Sequence, residues 1–143
     1  MKRRYITGVI LLILAGAGFR TCLRTARFAD NPLQVEFLAA ARRGDVRELE
    51  RLHLVGAGIN DYCTYQRGAV HGGPALVDAI IHERPSAVAW LLERGADVTR
   101  VYATDTPLEM ARSQLVANPA STALWEIVAL LEAGQIKEAV PAK

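Results

Sequence analysis

The chain has 143 residues, which is enough for one domain and not for two. Apolar residues make up 51% of it, which argues against disorder throughout, and their bias toward alanine and leucine over aromatic residues favours helices over sheets. The net charge is +2, but residues 1–17 hold three basic residues and no acidic one, so the remaining 14 basic and 15 acidic residues form a nearly neutral body without the basic surface that nucleic-acid binding requires.

The N-terminus has the pattern of an export sequence. Residues 2–4 read Lys-Arg-Arg, and the uncharged stretch 5–19 that follows contains a run of six large aliphatic residues. A basic start before a short apolar run is typical of a secretory signal peptide, and the small residues at 15–17 would allow cleavage after Ala17.

Two alternatives remain open for this segment. As an uncleaved membrane anchor it is short, because 15 residues of helix cover about 22 Å of a hydrocarbon core of about 30 Å. It could also be a buried helix of the globular body. In either export interpretation the body lies outside the cytoplasm, so we expect a periplasmic or other extracytoplasmic domain of the cell envelope, secreted by cleavage or held as a single-pass membrane protein.

The body repeats at a spacing of 39 residues. A shift by 39 places LVGAGIN (Leu54–Asn60) on ERGADVT (Glu93–Thr99), and a second shift places VAWLLERG (Val88–Gly95) on IVALLEAG (Ile127–Gly134). Self-similarity at a fixed period predicts stacked structural repeats.

Each unit is predicted to contain two short helices joined by a tight turn. The predicted pairs are Val35–Arg43 with Val46–Val55, Ala75–Glu83 with Ser86–Arg94, and Pro107–Gln114 with Thr122–Ala133. Pro85 and Pro107 stand at first-turn positions, and each second helix is followed by a glycine of the kind that ends helices: Gly56, Gly95 and Gly134.

The two helices of a unit differ in side-chain size. The first helices carry small residues that would let neighbouring helices approach closely: Ala40, Ala79 and Ala111. The second helices carry leucines that we expect to fill the space between layers: Leu91, Leu92, Leu130 and Leu131. Trp90 and Trp125 are interpreted as packing residues, and His53 as a partly buried one.

Several of these motifs resemble the ankyrin-repeat family. LLERGADVT at 91–99 resembles the end of the family's second helix and its loop, and DTPLEMA at 105–111 resembles its Thr-Pro-Leu-His-x-Ala start, with Glu109 in the place of the usual histidine. AAARRGDVRELERL at 39–52 resembles a capping first repeat. The resemblance covers about residues 33–135. It implies an all-α solenoid of about three helix-turn-helix repeats, at about 33–61, 74–100 and 105–134 of a domain at 28–135. The signal peptide or anchor would occupy 1–27 before this domain, and we expect a flexible tail at 136–143 after it.

The sequence departs from the family pattern in two ways. The usual spacing is about 33 residues, so the extra residues must lie in the loop Asp61–Gly73 and between the two helices of the third unit, in Leu115–Ser121. Glu83 stands where the inter-helix turn usually has a glycine, although Gly44 is present in the first unit.

The resemblance implies a protein-binding role, for which a stiff stack with a concave helix face and protruding loops offers a preorganised surface. Tyrosine and arginine dominate binding hot spots, and the long loop and its neighbour at 100–105 are rich in them. The predicted partner-binding residues are Tyr62, Tyr65, Arg67, His71, Arg100 and Tyr102. In the alternative interpretation, the tyrosines pack on each other or on the next repeat to order long loops.

The concave helix face is expected to carry polar side chains. The candidates there are Arg43, Asp78, His82, Glu109 and Arg112, with a solvated surface as the alternative for each.

Catalysis is not expected. Cys63 and His71 lie eight residues apart in the long loop, without a third group to orient them, and a structural zinc site would need four ligands. Cys22 and Cys63 could pair after export or remain separate thiols, since the sequence cannot place them together.

The leading hypothesis is a non-catalytic module that binds one protein partner in the cell envelope, for example as an immunity or inhibitor protein. The rivals are a scaffold for an exported enzyme, a structural envelope protein and an enzyme that uses Cys63 and His71. We expect a monomer without cofactor or metal, without nucleic acid, and with membrane contact only through its N-terminal segment.

Overall fold

The structure is a computed structural model that describes residues 31–61 and 73–139, with side chains described as far as Lys137. All regular elements in these ranges are helices, apart from one isolated bridge between Tyr102 and Asp105. The described part of the chain is therefore all-α, as predicted. The predicted export segment and residues 140–143 lie outside the described residues.

The described residues form six helices in three consecutive pairs. They are α1 (Pro32–Arg43) with α2 (Val46–Leu54), α3 (Ala75–Ile81) with α4 (Pro85–Glu93), and α5 (Pro107–Ala117) with α6 (Thr122–Ala139). The predicted helices overlap all six of them, with ends that differ by up to six residues.

Local chemistry sets most helix starts. Asn31 and Asp45 accept hydrogen bonds from backbone N–H groups of the first turns of α1 and α2. Pro85 and Pro107 begin α4 and α5, as predicted. Thr106 and Glu109 form a reciprocal capping box at the start of α5.

Residues with a left-handed backbone conformation follow the ends of several helices. Gly44, Gly56 and Gly95 have φ values of 75°, 115° and 81°, a region that costs glycine least. Glu83 takes the place of a glycine between α3 and α4 and has a φ of 55°. Its carboxylate accepts a hydrogen bond of 2.6 Å from the Ser121 hydroxyl, which also accepts the Leu124 N–H at the start of α6.

The prediction that Gly134 ends its helix is wrong, because α6 continues through it to Ala139. A Cβ atom at Gly134 would meet side chains of Leu92 and Val98 at 3.7 Å. The position therefore packs against the preceding unit, and α6 gains by continuing along it. Residues 136–139 of the predicted tail are thus helical.

The main contacts between helices run along two rows. Within each pair the helices contact each other, α3 contacts both α1 and α5, and α4 contacts both α2 and α6. The predicted small residues Ala40, Ala79 and Ala111 are completely buried in one core that extends from Phe37 to Leu131. The core is thus shared by all three pairs.

One packing prediction needs correction. The predicted packing of the leucines is as expected, because Leu91 and Leu131 are completely buried and the partly buried Leu92 and Leu130 pack against the core. Trp90 is buried beside Phe37 and His53, as predicted. Trp125, in contrast, is 58% exposed.

The glycines at 44 and 134 should respond to the same substitution in opposite directions. We expect Gly134→Ala to raise the free energy of unfolding by about 0.5–1 kcal/mol, because the position is helical and the added methyl makes ordinary contacts. Gly44→Ala should lower it by about 1–3 kcal/mol, because φ is positive and the new Cβ would lie 3.1 Å from Arg84 Cδ. Urea unfolding followed by circular dichroism measures both. Destabilisation by Gly134→Ala would mean that α6 ends before this residue.

Candidate functional site

The predicted partner-binding residues belong to the edge of the body where the loops between units emerge. Tyr62, Tyr65, Arg67 and His71, together with Cys63, lie outside the described residues. Arg100 and Tyr102 lie inside them, in the loop between α4 and α5. The described frame of this edge consists of residues 57–61 and 96–106, which we call the loop edge.

Asn60 joins the two parts of the loop edge. Its side-chain amide donates to the Gly95 carbonyl at 3.0 Å and accepts from the Asp97 N–H at 2.9 Å. The residue follows the buried Ile59, which anchors the first loop in the core. The bridge holds the start of the long loop beside the loop that carries Arg100.

Gln34, at the start of α1, fixes the same loop from the other side. It is buried, and its side-chain amide donates to the carbonyls of Gly58 and Asp61 at 3.0 and 3.2 Å. Its carbonyl accepts the Gly58 N–H at 3.1 Å. Residue 61, at which the long loop begins, is therefore held by polar contacts with the body.

Asp97 organises the second loop. Its Oδ1 accepts from the backbone N–H and the hydroxyl of Thr99 at 2.9 and 2.8 Å, and from the Arg100 N–H at 3.2 Å. The hydrogen bond from the Thr99 N–H, and to a smaller extent the one from its hydroxyl, hold the pKa of Asp97 below its ordinary value of 3.8, because they stabilise the ionised carboxylate. The backbone next to Arg100 is ordered by this turn.

Tyr102 occupies a different environment from the one expected of a contact residue. It is only 8% exposed, and its backbone exchanges two hydrogen bonds with Asp105 around a turn in which Ala103 has a φ of 59°. Its burial agrees with the alternative in which a tyrosine packs to order the loop. Arg100 and Val101, in contrast, are exposed on the loop edge.

Several side chains on the helix face predicted to be concave contact other side chains of the same chain. Asp78 is only 3% exposed, because α3 lies between α1 and α5, and its Oδ2 lies 3.3 Å from Arg42 Nε of α1. The other candidates lie nearer the surface. Arg112 pairs with Glu132 of α6 at 2.7 Å, Glu109 is occupied by the capping box, and Arg43 and His82 are exposed.

Sequence reasoning missed Gln34 and Asn60, which do most to hold the loop edge. The one available signal was their type, since an amide side chain both donates and accepts and so can satisfy two loop backbones at once. Their partners lie 24 to 37 residues away along the chain, a separation that no local pattern reveals.

No group of three or more His, Cys, Asp or Glu side chains in residues 31–61 and 73–137 is arranged to hold a metal ion. None of the helices in the described ranges combines the length and apolarity needed to cross a membrane.

Comparison with models of known protein families gives no match, and a search of curated proteins gives none either.

The turn at Asp97 should make stability depend on acidity. Because the folded-state pKa is lowered, the stabilisation by this carboxylate is present above its ordinary pKa of 3.8 and is lost as the pH falls through the lower folded value. We expect Asp97→Asn to flatten the decrease in unfolding free energy below about pH 4, measured by urea unfolding across the acid range. Glu36→Gln, which removes an exposed carboxylate on α1, is the control that should leave Asp97's share of the decrease intact. An unchanged acid profile in Asp97→Asn would contradict the role of the turn.

Proposed function

We propose that the body is an ankyrin-like stack of three helix pairs that binds one protein partner through the loop edge, without catalysis, in the cell envelope. The bridge that Asn60 makes to Gly95 and Asp97 carries the proposal, because it ties adjacent units together where their loops emerge. A protein-binding edge needs this kind of support, since side chains presented on ordered loops lose less entropy on binding.

The arrangement of helices supports the stack. Its features are the two rows of contacts, the shared core and the left-handed turn residues at Gly44 and Glu83 between paired helices. Helix pairs that share one core with their neighbours are the physical basis of a solenoid, because one pair alone cannot bury its apolar residues. The resemblance of the 91–99 and 105–111 segments to ankyrin repeats agrees with this interpretation.

The composition of the long loop and of the loop edge supports a protein partner. The side chains we assign to the contact are Tyr62, Tyr65, Arg67 and His71 of the long loop, with Arg100 beside its start. Arg100 and Val101 are exposed, and aromatic and arginine side chains contribute most to protein interfaces. Given its burial, Tyr102 supports the loop in this proposal and does not supply contact area.

The envelope location rests on the N-terminal pattern of residues 1–27, which would be a signal peptide or an anchor. Exported binding modules meet partners in the periplasm or at the membrane surface, so we propose that the partner is an envelope protein.

A capture experiment tests the proposal. The full-length chain, tagged at its C-terminus, is used to recover partners from a detergent extract of the native envelope. One protein should be recovered in a saturable manner. Arg67→Ala, Tyr65→Ala and Arg100→Ala should each reduce its recovery by about tenfold or more, as expected for hot-spot residues.

Arg47→Ala is the matched control, because Arg47 is an exposed arginine on α2, away from the loop edge. It should leave recovery unchanged. Equal recovery by the wild type and all three loop variants would move the binding site away from the loop edge. Absence of any saturable partner would contradict the proposed function itself and favour a structural role.

A further inference from the structure

The last helix pair presents an apolar surface to solvent. On α6, Trp125 is 58% exposed and Ile136 is 67% exposed, and Ala129 and Ala133 between them are also exposed. With 3.6 residues per turn, these four side chains form a stripe roughly 80° wide along the helix. We call these four residues the end stripe.

The end stripe lies on the side of α6 that faces away from the body. The opposite side of the helix is buried in the core through Leu124, Ile127, Val128 and Leu131, and α4 packs against α6. Trp125 is held in its exposed position by a hydrogen bond of 3.2 Å from its indole N–H to the Pro119 carbonyl. The stripe is therefore a defined surface and not a part of the shared core.

The second helix of the first unit differs. The exposed side chains of α2 are Arg47, Glu50, Arg51 and Leu54, so three of the four are charged. Glu48 and Arg51 also form an ion pair on this helix at 2.6 Å. A stack of repeats needs polar surfaces at its ends to stay soluble. The exposed side of α2 is mostly charged, whereas the exposed side of α6 carries the apolar end stripe, which points to a partner that covers the stripe.

The end stripe is complementary to itself when two copies of α6 run antiparallel. About a two-fold axis near Leu131, Trp125 lies opposite Ile136 of the second copy, and Ala129 lies opposite Ala133. Glu126 and Lys137 both lie on one flank of the stripe, and in this arrangement Glu126 of each copy lies opposite Lys137 of the other. A two-fold axis perpendicular to the helices keeps this flank on one side of the contact, so the contact contains two such acidic–basic pairs.

We propose that a second copy of this chain covers the end stripe, through an antiparallel α6–α6 contact. The alanines at its centre allow the helices to approach closely, and the tryptophan at each end supplies most of the apolar area. The charged pairs are exposed and add little affinity, but they favour the antiparallel orientation, because only in that orientation do the flanks that carry Glu126 and Lys137 lie side by side. This inference replaces the expectation of a monomer.

A second copy explains the pattern better than an unrelated partner. An unrelated protein would require an apolar surface but not an acidic and a basic residue placed symmetrically about its centre. Within the described residues, neither Glu126 nor Lys137 forms an ion pair, so the two charges do not serve each other in one chain.

Charge reversal tests both the contact and its direction. The full-length chain is purified in a mild detergent, and its protein mass is measured over a range of concentrations by light scattering that separates protein from detergent. The wild type should be dimeric. Glu126→Lys and Lys137→Glu should each weaken the dimer by about tenfold, because each variant places like charges together at both symmetric positions. The double variant Glu126→Lys/Lys137→Glu should restore the wild-type dimer.

Trp125→Ala gives an independent measurement. It should weaken the dimer by about tenfold or more, while circular dichroism shows unchanged helix content, because the side chain lies outside the core. Leu54→Ala, at an exposed apolar residue of the first unit, is the matched control and should leave the mass unchanged.

Three outcomes would overturn the inference. One is a monomeric wild type, including the case in which residues 1–30 of the same chain cover Trp125. Another is a dimer that persists in Trp125→Ala and both single charge variants, as expected if the N-terminal segment holds two chains together. The third is a double variant that stays as weak as the single ones. Recovery of the envelope partner by Trp125→Ala keeps this test separate from that of the proposed function.

Discussion

The sharing of one core between successive helix pairs is the constraint on which the rest of the structure depends. The middle pair shows it most clearly, since α3 has only seven residues and six of them are buried. This burial requires helices on both sides of α3. The completely buried alanines at 40, 79 and 111 allow these helices to approach closely. The same constraint explains why Asp78 lies beside Arg42, because a carboxylate buried between helices is stabilised by a nearby guanidinium. The loops emerge from a frame that the core has already made rigid.

Local features of the sequence predicted much of this fold. Prolines at the starts of α4 and α5 and left-handed glycines after α2 and α4 act within one turn of chain, so the helix pairs could be identified without knowledge of their neighbours. Gly134 follows the same Leu-Leu-Glu-x motif as Gly95 but lies inside a helix. The residues after Gly134 are mostly good helix formers, and Leu92 and Val98 of the preceding unit, which are not encoded near it, pack beside it. Trp125 was misplaced for a similar reason, because burial of the last helix depends on which side α4 covers.

The loop edge was only partly predictable. Composition drew attention to the two loops because they are rich in tyrosine and arginine, but it could not separate exposed side chains from those that support a loop. Tyr102 supports the loop by its burial, and Arg100 extends from a backbone that Asp97 fixes. The sequence around Gln34 and Asn60 does not indicate their role in holding the loops, because an amide side chain has no preferred partner until the fold brings two loop backbones within reach. Long-range hydrogen bonds of this kind are visible only in three dimensions.

The turn at Glu83 has a consequence for how the units can be rearranged. A non-glycine residue with positive φ is strained, and its carboxylate accepts a hydrogen bond from Ser121, the residue that also starts the last helix of the next unit. The middle unit therefore depends on one particular neighbour. A copy of this helix pair placed elsewhere in the chain would keep the strained turn but lose the hydroxyl that fixes it. The position of the pair before α5 and α6 is therefore specified by one side-chain contact, which the repeating sequence pattern does not reveal.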